Sequence, residues 1–208
     1  MSRSPSRPLI PALAAAGVLA AGILTTGAAT AAASPGSIMP APLPSIASLD
    51  VERYAGTWQQ VAAVPQPFNL ECARDTSATY AVVAPGTISV RNECTTWSGE
   101  RSGINGQATV TDPSTNASLQ VTFSSVPFSP PEGVPNYVVT YIDEDYETAI
   151  VGDPARTSGF VLSRSGALTG EQWQKVQDVI VDRGWNPCFF LTSPVAGGLE
   201  TIQPLCTL

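Results

Sequence analysis

Between residues 54 and 164, apolar and polar side chains alternate with a period of two, as in strands with one face buried. Ala78, Tyr80 and Val82 alternate with Ser77 and Thr79, and Leu119, Val121 and Phe123 alternate with Ser118, Gln120 and Thr122. Eight segments of ordinary strand length follow from this pattern: 56–64, 76–84, 87–94, 103–111, 117–124, 136–143, 147–153 and 158–164. The period then changes. Trp173, Val176, Val179 and Ile180 recur at helical spacing, with Gln, Lys and Asp on the other side. Thr169 is a good N-cap and Gly184 a good stop. One amphipathic helix is predicted over about 169–183, its apolar face against the outside of the sheet. Beyond it, Phe189-Phe190-Leu191 offers a final strand.

The connections decide how the strands are arranged. Ala84-Pro85-Gly86, residues 112–116 and residues 143–146 are tight, whereas 65–75, 95–102 and the Pro-rich 125–135 are long. Short and long alternate, so in a meander one end is tied by turns and the other framed by loops. The expected fold is all-β: an eight-stranded antiparallel up-and-down barrel with one C-terminal α-helix packed outside. A barrel of that size can hold one small ligand. At the start of the first strand, Gly56 would let the backbone pass close to something bulky, and Trp58 would plug the end of the core.

Composition narrows the compartment and the chemistry. Arg3 and Arg7 precede an uncharged run from Leu9 to Ala33 that ends in small residues, so residues 1–33 are expected to be a cleaved secretory signal. An uncleaved membrane anchor is the alternative, since the run is long enough to span; Pro11 and several Gly and Thr argue against it. The run has no Cys to carry a lipid anchor. Residues 34–48 read as a Pro/Ser/Ala-rich tether, and 49–208 as the barrel domain with its helix and tail. The expected location is extracellular, with no stable membrane insertion after cleavage. Without the signal, 8 basic residues face 17 acidic ones, a net charge of −9, which disfavours nucleic acid and anionic lipid.

Four cysteines, Cys72, Cys94, Cys188 and Cys206, read as two disulfides in an exported chain. With no His and no Cys-x-x-Cys, no metal site and no cofactor are expected. The acidic stretch 143–147 lacks the calcium-loop pattern, since Thr148 and Pro154 occupy its sixth and twelfth positions. The sequon at Asn116 reads as a chance match. No general-base His, no Gly-x-Ser-x-Gly and no phosphate-binding loop is present, so an enzyme is not expected.

Four stretches together are specific. They are Tyr54-Ala55-Gly56-Thr57-Trp58; Thr79-Tyr80 with Gly86-Thr87-Ile88-Ser89-Val90; Asp143, Asp145-Tyr146 with Ala149-Ile150-Val151; and Leu162-Ser163-Arg164. In this order and spacing the chain resembles the lipocalins, most closely their bacterial and apolipoprotein-D-like branch, from about 49 to 184. It departs from the family pattern at Gln59 and Gln60, where relatives usually carry an aromatic and an acidic residue, and in its tail. The resemblance implies that Arg164 packs across Trp58 at the closed end. It also implies a small hydrophobic ligand in the barrel: a fatty acid, lysolipid, retinoid, tetrapyrrole or sterol. A few lipocalins are enzymes, one through a free barrel Cys.

Strand alternation then proposes a lining. With Trp58 inward, so are Gln60 and Ala62; then Ala78, Tyr80 and Val82; Ile88, Val90 and Asn92; Ile104, Gly106 and Ala108. Leu119, Val121 and Phe123 follow, then Tyr137, Val139 and Tyr141, Thr148 and Ile150, and Phe160 and Leu162. Small residues such as Ala78, Gly106 and Ala108 would leave a cavity open. Cys72 and Cys94 fall toward the long-loop end of neighbouring strands, which pairs them and leaves Cys188 for Cys206. The rival pairing, Cys72 with Cys206, would tie the tail to the first long loop as in some lipocalins. The expected role is secreted binding or transport of a small hydrophobic molecule. The alternatives are an interaction module with a filled barrel, or an enzyme.

Overall fold

The computed structural model describes residues 41–126 and 130–208; the expected signal segment and residues 34–40 of the expected tether lie outside them. Residues 41–49 are extended and fastened to the barrel. Leu43 N–H donates to the Pro154 carbonyl, Ile46 N–H to Val139 and Leu49 N–H to Thr115, and Leu43 and Leu49 are buried. A one-turn helix, α1 (Val51–Tyr54), follows, its N-terminus capped by Asp50. Four residues are too few to show a helical period, and the sequence pattern did not mark it.

Eight strands then form the wall: β1 (Gly56–Ala63), β2 (Cys72–Ala84), β3 (Thr87–Thr96), β4 (Arg101–Val110), β5 (Ser118–Phe123), β6 (Tyr137–Ile142), β7 (Thr148–Gly152) and β8 (Gly159–Ser163). Each pairs antiparallel with the next, and β1 pairs with both β8 and β2, so the sheet closes on itself. Successive connections fall at opposite ends as expected, but the expected alternation of length does not hold throughout: the β3–β4 connection, 97–100, is shorter than the β4–β5 connection, 111–117, because β3 and β4 pair beyond the expected strand ends. Short turns lie at the α1 end, and the loops 64–71, 97–100 and 124–136 frame the opposite end. The helix α2 (Gly170–Asp182) starts at a capping box between Thr169 and Gln172. A two-residue strand, β9 (Leu191–Thr192), is what forms from the Phe189-Phe190-Leu191 run. Among the described residues no helix is long and apolar enough to cross a membrane.

Two apolar clusters separate the faces of the wall. One fills the barrel around Trp58, Tyr80, Val90, Leu119, Val151 and Leu162. The other lies between the wall and α2, where Trp173, Val176, Val179 and Ile180 cover Val61, Ala62, Val138, Ile150 and Val161. Four of the expected lining residues belong on the outside. The register of β1 against β8 shifts between Gln60 and Ala62, which turns Ala62 toward α2 and Ala63, opposite Phe160, inward. A second shift between Val139 and Tyr141 turns Tyr141 outward and Ile142 inward. Each extra residue in a bulge reverses the alternation beyond it. In β7 the parity was opposite to the one expected: Ile150 lies under the helix, Thr148 shares its face, and Ala149 and Val151 point inward. Every residue of β7 is buried, by the interior on one side and α2 on the other, so no polar alternation marks its faces.

The tail closes a gap in the wall. β1 pairs with β2 only over Gly56–Gln59. Past that point β9 takes the free edge of β1, at Ala62 and Ala63. Ser193 N–H then donates to Val61 O, and Asp75 N–H on β2 donates to Pro194 O. A disulfide between Cys188 and Cys206 closes this segment into a loop, and a second joins Cys72 to Cys94 across β2 and β3.

Candidate functional site

The barrel interior is built from the closed end upward. Trp58 is completely buried and its indole N–H donates to Tyr54 O at 2.9 Å. The guanidinium of Arg164 sits 3.8 Å over the indole ring. It donates to the carbonyls of Arg53, Tyr54, Ala55, Thr57 and Tyr146 at 2.8 to 3.3 Å. Gly56 adopts φ +98°, and a Cβ there would lie 3.1 Å from Arg164 Nη1. Only glycine suits that backbone and that contact. Burial lowers the Arg164 pKa, but the group stays charged.

Above Trp58 three tyrosines meet. The Tyr137 hydroxyl bonds Tyr54 at 2.6 Å and Tyr80 at 3.1 Å. Loss of solvent pushes Tyr80 up to about 12 and raises Tyr54 and Tyr137 well above their ordinary value. All three are therefore neutral hydroxyls at physiological pH. Around them Ile88, Ala108, Leu119 and Val121 leave a void of about 10 Å3, room for about one water. The space expected at Gly106 is also taken: a Cβ there would lie 2.6 Å from the Phe123 ring. The closed half of the barrel is thus packed. A larger void of about 330 Å3 lies outside the barrel, between Gln59 and Ser77 on the wall and Val195 and Ala196 on the tail.

Toward the mouth the packing loosens. Ala78, Asn92 and Ile104 stand side by side on β2, β3 and β4 and are partly exposed, as are Phe123 and Phe160. At the closed end Val82, beside the β2–β3 turn, and Tyr137 are partly exposed, and Val139 and Leu162 are buried in the interior cluster. Gln60 keeps the parity of Trp58, and its amide donates to Ser193 Oγ in the tail at 2.8 Å. Asn92 Oδ1 is buried without a hydrogen bond. Phe68, from the loop after β1, reaches over Phe160 with ring centroids 6.5 Å apart. Trp97 is exposed at the rim, its indole N–H tied to Leu70 O at 2.9 Å. Among the described residues the inward strand positions carry no Lys, Arg, His, Asp or Glu. Apolar walls, a sealed floor and an accessible mouth suit a molecule that avoids water.

The arrangement has relatives. The lipocalin-like domain family matches residues 49–194. The chain belongs to the lipocalin family. This lipocalin is 40% identical over 144 residues to temperature-induced lipocalin-1 of Arabidopsis thaliana, covering 68% of this chain and 76% of that protein. It is 29% identical over 147 residues to the outer membrane lipoprotein Blc of Escherichia coli K12, covering 70% and 79%. Among solved structures, insecticyanin from the tobacco hornworm superposes with a TM-score of 0.58 at 19% identity, covering 74% of this chain and 85% of that one. Lobster apocrustacyanin A1 does so at 0.55 and 15%, covering 76% and 92%. These structural likenesses concern the fold. Lipocalins are in general binders of small hydrophobic molecules rather than enzymes, and the two disulfides of this lipocalin fit an extracytoplasmic location.

Several residues of the site carry no strand-period signal. Val51, Tyr54 and Ala55 line the closed half from α1 and its end, and Phe68 covers the mouth from a loop. Tyr54 was legible only as part of the motif around Trp58, and Phe68 only as an apolar residue in a long connection.

Proposed function

We propose that this lipocalin is an exported carrier that holds a small hydrophobic molecule, such as a fatty acid, a lysolipid or a similar lipid, in the mouthward half of its barrel. The observation that carries the reading is the uncharged inward face, sealed at Trp58 and reaching water through Ala78, Ile104, Phe123 and Phe160. Burying apolar ligand there gains about 25 cal/mol per Å2. The closed half holds about one water, so the ligand sits above the tyrosines rather than below them. The leader pattern at the N-terminus and the two disulfides support export.

A filled-barrel interaction module is the second reading, favoured by the small void near the floor. An enzyme has less support: the chain has no His, and all four cysteines are paired. Native mass spectrometry separates carrier from module. The carrier reading expects a lipid adduct on the purified protein, or stoichiometric uptake of one after delipidation. A protein that stays bare at saturating lipid would favour the module.

A further inference from the structure

The mouth of the barrel carries an apolar rim that faces water. Phe68 is 64% exposed, Leu70 72% and Trp97 68%, and Val126 and Val134, on the loop before β6, are exposed as well. These residues come from the three loops that frame one end of the wall. The other large apolar side chains left exposed among the described residues are divided between the end of β2, α2 and the tail. Scattered apolar residues are ordinary on a surface, but a concentration of them round one opening marks a contact surface.

The rim is fastened in this exposed state. The Cys72–Cys94 disulfide lies two residues after Leu70 and three before Trp97, so it ties the two loops at their base. Above it, the Trp97 indole N–H donates to Leu70 O at 2.9 Å, and Ser102 Oγ donates to Glu71 Oε1 at 3.0 Å. An indole whose N–H is already satisfied strands no donor when its ring leaves water. Phe68 meets Phe160 with ring centroids 6.5 Å apart, so the apolar surface runs from the rim into the barrel.

Charge decides what can sit there. The loops 64–71, 97–100 and 124–136 contain no Lys or Arg and three acids, Glu71, Glu100 and Glu132. Arg74 and Arg101 flank them, but Arg74 is paired with Asp75 and Arg101 stands 3.9 Å from Glu93. An anionic lipid surface would be repelled. A protein seated on the rim would cap the mouth and bar the guest. A neutral lipid surface meets neither obstacle, and a lipid crosses from it to the barrel without passing through water.

We propose that the mouth rim docks reversibly on an electrically neutral lipid surface of phosphatidylcholine type, with Leu70, Trp97 and their neighbours immersed at its boundary. Resting on the carrier reading above, the guest is exchanged with that surface while the mouth faces it. The attraction is apolar, so it needs no basic residue and holds at high salt.

The test mixes the purified protein with phosphatidylcholine vesicles, with and without added phosphatidylserine. Trp58, Trp173 and Trp185 are buried, so quenching by brominated phosphatidylcholine reports Trp97. The protein is expected to sediment with the neutral vesicles, to be quenched by the brominated lipid, and to gain nothing from phosphatidylserine. Leu70→Asp should weaken this association about tenfold or more, the effect of withdrawing one Leu side chain from an apolar phase, with Tm and the affinity for palmitate in solution unchanged. Val134→Asp should weaken it too, and it serves if the first variant does not fold. No association with neutral vesicles, association only when phosphatidylserine is present, or variants that bind as the parent does would overturn the docking face, whatever palmitate does. A dimer that Leu70→Asp splits, with no vesicle binding, would overturn it in favour of a second copy of the chain. Vesicle binding without any uptake of palmitate or lysophosphatidylcholine would overturn the carrier reading and the exchange step, and would support the docking face alone.

Discussion

Arg164 is the residue on which the closed end turns. It lies over Trp58 and gathers five carbonyls from the chain around α1 and the turn before β7. A cation over an indole contributes about 1–2 kcal/mol when shielded, and the orphaned carbonyls add to that. Arg164→Ala should therefore cost about 3 kcal/mol, a fall of about 10 °C in Tm at this size, with ligand affinity little changed. An unchanged melting curve would show that the closed end holds without it. The tyrosines make a second prediction. Tyr80 has a folded pKa of about 12 against an unfolded value near 10, so the folded state keeps a proton that the unfolded chain gives up. Its contribution is whole below about pH 10 and is lost as pH climbs toward about 12. Tyr54 and Tyr137 shift in the same direction. Equilibrium denaturation across that window should show stability falling with pH, and Tyr80→Phe should flatten the slope. Trp58 and Arg164 stood out in the sequence because a motif marks each; the tyrosine network did not, because its members come from a helix and two separated strands.

At the level of elements, the strands and α2 were legible because one face of each meets water over most of the chain. β2 to β5 show this: their outward residues are exposed or partly so, and the inward parity read from the sequence holds from Ala78 to Phe123. Legibility fails where both faces are covered. β7 is buried throughout by the interior and by α2, and bulges in β1 and β6 shift the alternation without changing its composition. That is why Ala62, Tyr141, Thr148 and Ile150 were placed on the wrong side. Because Ile150 packs under α2, Ile150→Ala should cost about 2–4 kcal/mol and leave ligand affinity within error. Urea denaturation and a lipid titration on the same variant check both halves; a large loss of affinity with stability intact would return Ile150 to the lining.

The whole molecule combines a closed wall, an acidic surface and an uncharged interior. Closure leaves no bare strand edge along most of the sheet, and the tail, looped by Cys188–Cys206, covers the stretch of β1 that β2 leaves unpaired. The acidic exterior favours solubility. Binding at the mouthward ring should stabilise the fold by mass action, about 2.7 kcal/mol at a hundredfold excess over Kd. Where the guest sits is the point on which the functional account depends. A crystal of the protein loaded with a bromine-tagged long-chain alcohol would show it through the anomalous signal of the halogen. The account predicts electron density for one chain inside the barrel, above Tyr54, Tyr80 and Tyr137. Bromine found only on the outer face, or a barrel left empty at full saturation, would contradict it.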